Sequence, residues 1–204
     1  ISMFQSKGLT KGDRIAWLGK NSERYAVWVA AAARGGVVMA PVWWRLAPPE
    51  IAYILKDTGS KLVFAGAEFT EIAHQVSSEL EPSPEVIVEE DAWGFIKAQE
   101  FAEYEAPDPD DGVLQLYTSG TTGNPKGVVL SNYNLLSLRG PALAAELPWA
   151  DYKESDCVLV AMPIAHIGGT GLINISFISG ARALIQAEFL PERVLDGIEN
   201  GVTH

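Results

Sequence analysis

Val113-Leu114-Gln115-Leu116-Tyr117-Thr118-Ser119-Gly120-Thr121-Thr122-Gly123-Asn124-Pro125-Lys126-Gly127-Val128-Val129-Leu130 carries more information than any other part of this 204-residue chain. Two apolar runs of strand length flank a segment that holds three glycines, four aliphatic hydroxyls and one lysine. Glycines let backbone N–H groups approach an anion closely, hydroxyls donate to phosphate oxygens, and the ammonium adds a full positive charge. The segment is a candidate phosphate cradle held between two strands. The same Gly, Asn and Pro residues are also ordinary turn formers, so composition alone leaves a plain surface loop open.

The Walker phosphate loop is excluded. Gly120 and Lys126 stand at its first-glycine-to-lysine spacing, but Pro125 replaces its second glycine and Gly127 stands where a magnesium-binding Ser or Thr belongs. A Walker loop also opens a helix, whereas Val128 to Leu130 reads as a strand.

Thr118 to Gly127 matches [ST]-S-G-[ST]-T-G-x-P-K-G at every defined position, and with Tyr117 before it and Val128 to Ser131 after it the segment resembles the signature of the adenylate-forming enzymes. That superfamily comprises acyl-CoA synthetases, aryl-CoA ligases, peptide-synthetase adenylation domains and firefly-type luciferases. Gly12-Asp13-Arg14-Ile15-Ala16 with Asn21-Ser22 is similar to its opening strand and turn. Pro41 to Glu50, Tyr53-Ile54-Leu55 and Asp57-Thr58-Gly59 are similar to its P-x-x-x-R-L-x-P-x-E-x-x-Y-I-L-x-D-x-G block. The resemblance covers essentially the whole chain.

It implies two half-reactions. A carboxylic acid, a fatty acid by closeness of resemblance, attacks the α-phosphorus of MgATP, and the acyl-adenylate passes to coenzyme A. Aryl-acid or amino-acid activation is the alternative within the class, and a non-catalytic nucleotide-binding module is the alternative outside it. The resemblance assigns nucleotide binding to Thr118, Ser119, Gly120, Thr121, Thr122, Gly123 and Lys126, magnesium to Thr122, and a catalytic part to Lys126. It also allows assembly as a homo-oligomer. The superfamily's acidic magnesium ligand, ribose-binding aspartate, hinge and C-terminal lysine have no counterpart up to His204. The chain is therefore expected to be a fragment of the large N-terminal domain and inactive alone in pyrophosphate exchange.

A second candidate lies at Met162-Pro163-Ile164-Ala165-His166-Ile167-Gly168-Gly169. His166 falls just past a predicted strand, at the sheet edge where parallel α/β proteins bind ligands. A lone histidine in an apolar run is equally a hydrogen-bonded structural residue. The run resembles the superfamily's P-x-x-H-x-x-G element, which implies a catalytic or substrate-binding part for His166 and substrate contact for Gly168. An aromatic residue commonly precedes that histidine, and here Ala165 does.

Alternating apolar strands and amphipathic helices predict an α/β protein built from two consecutive Rossmann-like subdomains with mostly parallel sheets. Predicted strands are 14–18, 37–42, 61–65, 85–88, 113–116, 127–130, 157–162 and 182–186. Predicted helices are 22–33, 49–57, 69–80 and 170–178, with a further one after Ser131 that Pro141 interrupts. The division expected is 1–105, an acidic Pro/Asp linker at 106–112, and 113–204.

Net charge is −11, and fourteen of the 26 acidic residues lie between Glu68 and Asp111 with Lys97 as the one base there. That segment reads as a solvated face and linker. Gly112 to Ala145 holds no Asp or Glu while Lys126 and Arg139 are basic, so the loop faces no sequence-local repulsion. The overall sign argues against nucleic acid as a partner. A single cysteine, Cys157, permits no internal disulfide, fits a reducing, cytoplasmic location, and reads as a buried structural thiol. No run reaches the roughly 18 apolar residues of a membrane helix, and peripheral membrane association stays open. His74 and His204 offer no partner in sequence. Trp43 and Trp44 read as packing residues, and Arg45 as a surface or capping residue.

Overall fold

A computed structural model of the chain describes residues 1–97, 105–118 and 123–204. In chain order the elements are α1 (Ser2–Ser6), β1 (Arg14–Leu18), α2 (Glu23–Gly35), β2 (Val38–Val42), α3 (Pro48–Thr58), β3 (Leu62–Ala65), α4 (Thr70–Ser78), β4 (Glu85–Val88) and α5 (Glu89–Lys97). There follow β5 (Gly112–Thr118), β6 (Lys126–Ser131), α6 (Asn132–Leu136), α7 (Arg139–Ala144), β7 (Cys157–Val160), α8 (Ile167–Ser179), β8 (Arg182–Ile185) and α9 (Pro191–Glu199).

Local chemistry sets the helix ends that position the site. The Ser22 hydroxyl accepts from the Tyr25 amide at 3.1 Å and opens α2, which closes on Gly36 at φ 67°. Prolines at the start of α3 need no amide partner, and Glu50 reaches back to the Ala47 N–H at 2.8 Å.

Six strands form one sheet in the order β4-β3-β1-β2-β5-β6. The first five run parallel and β6 returns antiparallel to β5. Side chains alternate across it: Ile15 and Trp17 pack with Tyr25, Trp28, Met39 and Phe64 on one face, while Ala16 and Leu18 pack with Ile51, Ile54 and Leu55 on the other. Trp28 stacks on Phe64 at 4.2 Å between ring centroids. Burying a side chain such as Phe64 contributes about 1.5–3 kcal/mol. β7 and β8 pair parallel in a second sheet, and Val160, Ile164 and Ile173 from that unit join the Trp28 core.

The mixed, mostly parallel α/β architecture is the one expected from sequence. Residues 106–112 do not separate the two sheets, however, because β5 pairs with β2 at Met39 and Leu114. The change of sheet falls after β6. The Pro/Asp segment is instead a tight turn, with the Asp108 N–H donating to Asp111 at 2.8 Å and the Asp110 N–H to Asp108 at 2.9 Å. Part of the expected solvated face is helical: α5 buries Ala92, and Arg24 pairs with both Glu89 and Glu90. Among the described residues no helix is long and apolar enough to cross a membrane.

Candidate active site

The strand pair β5–β6 delivers the phosphate loop with both feet fixed. Thr118, at the end of β5, stands opposite Lys126, at the start of β6. Gly123 adopts φ 117°, a backbone conformation closed to side-chain-bearing residues, so a glycine is required at the loop's exit. Ser119, Gly120, Thr121 and Thr122 lie outside the described residues, and with them the magnesium role expected of Thr122.

Helix α3 braces the loop from below. The Tyr53 hydroxyl donates to the Pro125 carbonyl at 3.2 Å, and the Tyr117 hydroxyl donates to Asp57 Oδ2 at 2.5 Å. Burial raises the Tyr117 phenol well above its usual pKa, and the Asp57 carboxylate on its proton raises it further. Tyr117 therefore stays a donor. Gln115 donates to the same hydroxyl at 3.1 Å and accepts from Arg14 Nε at 3.4 Å, which ties the loop's inner foot to β1.

Lys126 is exposed and forms no ion pair with a described residue. Its charge is available to an anion. Arg139, the other base expected near the loop, instead donates to the Tyr152 carbonyl at 3.4 Å.

His166 caps α8. Its Nδ1 accepts from the Gly168 N–H at 3.2 Å, which leaves Nε2–H as the donor of the neutral ring. Gly168 is thereby a partner of the histidine, since its amide is engaged. The preceding loop is anchored from α8 itself, where buried Thr170 donates from Oγ1 to the Ile164 carbonyl at 2.8 Å and lies 2.7 Å from the buried Tyr25 hydroxyl. Thr170 has one hydroxyl proton, so Tyr25 donates to Thr170. Tyr25→Phe removes this single bond, and urea unfolding is expected to show a loss of about 0.5–1.5 kcal/mol; an unchanged midpoint would remove Tyr25 from the anchor.

The two candidates expected from sequence meet in one cavity of about 440 Å³. Thr118, Tyr117 and Pro125 line it from the loop, Met162, Pro163, Ala165 and His166 from the histidine segment, and Pro41, Trp43 and Leu46 from the end of β2. This size is in the range of small-molecule sites. The walls are chiefly apolar, and Glu50, which also lines it, is engaged by the Ala47 amide.

Trp43 corrects the reading of the tryptophan pair. Trp44 packs on Phe69 at 5.8 Å, beneath Arg45 at 4.6 Å and Lys20 at 5.1 Å, but Trp43 is 43% exposed and lines the cavity. Alternation continued one residue past β2 is the signal that separates them. Arg45 is a surface residue, paired with Glu188 at 3.0 Å. His204 does have partners, Asp156 at 3.2 Å and the Tyr152 ring at 4.6 Å. Cys157 is half-buried rather than buried.

Among the described residues no three His, Cys, Asp or Glu side chains converge as metal ligands.

The AMP-binding enzyme family matches residues 2–204. The chain is 34% identical to the fatty acid–[acyl-carrier-protein] ligase ScoC of Streptomyces coeruleorubidus, across 98% of this chain and 39% of that protein. It is 32% identical to the long-chain-fatty-acid–CoA ligase FadD13 of Mycobacterium tuberculosis, across 89% of this chain and 36% of that one. ATP-bound MatB from Rhodopseudomonas palustris superposes with a TM-score of 0.84 at 25% identity, covering 98% of this chain and 40% of MatB. The chain thus spans well under half the length of each of these proteins.

Proposed function

Because the chain belongs to the AMP-binding enzyme family, we propose that it supplies the phosphate-binding half of an ATP-dependent acid–thiol ligase. In the first step a carboxylate oxygen bonds to the α-phosphorus of ATP, and the α–β bridging bond breaks with its electron pair leaving on pyrophosphate. In the second, a thiol sulfur bonds to the acyl carbon, AMP departs with the electron pair of the acyl–oxygen bond, and the thiol proton is lost.

The observation that carries this reading is the shared cavity, which brings Thr118 and Pro125, from the two ends of the loop, together with His166. Negative charge grows on the departing phosphates, and a donor already in place stabilises it without reorganisation. In this reading Lys126 and the Thr118 hydroxyl, paired across the loop's feet, serve as such donors. The loop members Ser119, Gly120, Thr121 and Thr122 complete the cradle in this proposal. His166, with Nε2–H as its free donor, serves the carboxylate end of the acyl-adenylate. Magnesium accompanies ATP as part of the substrate.

The apolar walls support an acid with a hydrocarbon body, and we assign a fatty acid. Coenzyme A is the acceptor in this reading. ScoC, whose name gives an acyl carrier protein, favours a protein-bound thiol as the second reading.

The test is an acid-dependent AMP-release screen of the full-length natural protein, with and without coenzyme A. Fatty acids are expected to release AMP, with a rate that rises on adding coenzyme A. AMP release stimulated by an acyl carrier protein alone selects the second reading, and the absence of AMP with every acid overturns both.

A further inference from the structure

Asn21 sits just beyond the C-terminal end of β1. The chain leaves β1 for α2 on one face of the large sheet and leaves the adjacent β2 for α3 on the other. In doubly wound sheets the crevice at such a reversal is where ligands bind. Here the second sheet is seated at it: Asn21, Trp44 and Arg45 face Ala161, Pro163 and Glu188 across a small gap. The ligand cavity lies one strand over, between the ends of β2 and β5.

Asn21 makes the junction. It is 6% exposed, and its amide nitrogen donates to the Met162 carbonyl at 3.0 Å and to the Gln186 carbonyl at 3.0 Å. Its side-chain oxygen accepts from the Ile164 N–H at 3.1 Å, and its own backbone N–H donates to the Ala187 carbonyl at 3.1 Å. A carboxamide offers two donor protons and an oxygen that accepts twice, and three of those four capacities are used on strand-end backbone. No other type of side chain of this length both donates twice and accepts. Surface pairs Arg45–Glu188 and Lys20–Glu188 also cross the junction, but exposed pairs of this kind contribute little.

Two of the three side-chain bonds fall on Met162 and Ile164, which flank Pro163 at the root of the loop that ends in His166. The His166 N–H in turn donates to the Pro163 carbonyl at 2.9 Å. We infer that Asn21 is a positioning residue that sets where His166 stands relative to the phosphate loop, by holding the histidine's loop against the large sheet. This inference rests on the part given to His166 under Proposed function.

A double-mutant cycle separates positioning from mere support. The readouts are affinity of the full-length natural protein for a long-chain acyl-sulfamoyl adenosine, a stable mimic of the acyl-adenylate, and the urea midpoint of each variant. Asn21→Ala is expected to weaken affinity by about tenfold or more, because a small displacement of a binding group is magnified in the site. In a His166→Ala background the same substitution is expected to change affinity less than about twofold, since Asn21 then has nothing left to place. The shift in urea midpoint is expected to be the same in both backgrounds. If Asn21→Ala does not fold, Asn21→Ser, which keeps one donor, carries the same cycle.

An affinity loss that is unchanged by His166→Ala, or no affinity loss on altering Asn21, overturns the positioning role while leaving the histidine's part intact. His166→Ala binding like wild type overturns the histidine's part, and the positioning role falls with it.

Discussion

Lys126→Ala is expected to slow acid-dependent AMP formation by about 10²–10³ in kcat, the usual effect of removing one preorganised donor from a developing anion. The lysine stands at the foot of the loop opposite Thr118 and is exposed, without an ion pair to a described residue. No ion pair or side-chain hydrogen bond to a described residue is lost with it, so stability is expected to stay within about 0.5 kcal/mol of wild type. That combination, a large rate effect with an unmoved urea midpoint, distinguishes a group held for the reaction from one held for the fold. Lys126→Arg retains the charge but replaces a compact ammonium with a wider planar fork, and a partial recovery is expected. Steady-state kinetics over a range of ATP concentrations, with the urea midpoint of each variant, check this. Wild-type turnover in Lys126→Ala would remove the loop from the phosphate chemistry.

Strand positions and the hairpin around the loop were readable because apolar runs bounded by turn residues are local signals. Which strands pair is not local. Val113 to Leu116 announces a strand but gives no partner, and β5 joins the large sheet through β2, far away in sequence. The segment before it was ambiguous in principle, since Pro and Asp mark linkers and tight turns alike, and here Asp108 and Asp111 hold a turn by side-chain bonds to backbone amides. Helix α9 was missed although Pro191 and Glu192 give it an ordinary start. α5 was hidden by its own charge, because Glu89, Glu90 and Asp91 read as solvated while in fact they occupy a first helical turn.

The candidate site was legible as two motifs but not as a meeting. Nothing in the sequence places Thr118 and His166 on one cavity, since that follows from seating the second sheet through Asn21. His166 as a helix cap was equally hidden, because histidine is outside the residues that usually fill that position.

Gly169→Ala is expected to damage both fold and site. Gly169 is buried in the first turn of α8, and a Cβ placed there would stand 2.6 Å from the Met162 carbonyl oxygen and 2.6 Å from the Pro163 carbonyl carbon, with the Pro163 oxygen also in contact. These are backbone atoms, so no side chain can swing aside, and either α8 or the histidine's loop must shift. Opposing this, alanine gains about 1 kcal/mol over glycine inside a helix. Overpacking of a tight interior costs about 1–3 kcal/mol and occasionally more, so the balance falls on destabilisation. Gly171 separates the two terms within the same helix: its nearest neighbours would be Ile167 side-chain carbons at 4.0 Å, ordinary contact. Gly171→Ala is therefore expected to raise stability slightly. Gly169→Ala is expected to lower Tm by about 2–4 °C for each kcal/mol lost. The displaced atoms are the carbonyls of Met162 and Pro163, one the acceptor of Asn21 and the other the acceptor of the His166 amide. Affinity for the acyl-adenylate mimic should consequently fall well beyond what the stability loss alone produces under conditions where the variant is fully folded. Paired melting curves and binding isotherms of the two alanine variants decide it. If Gly169→Ala melts and binds like Gly171→Ala, the close approach of α8 to its loop is not what holds the histidine in place.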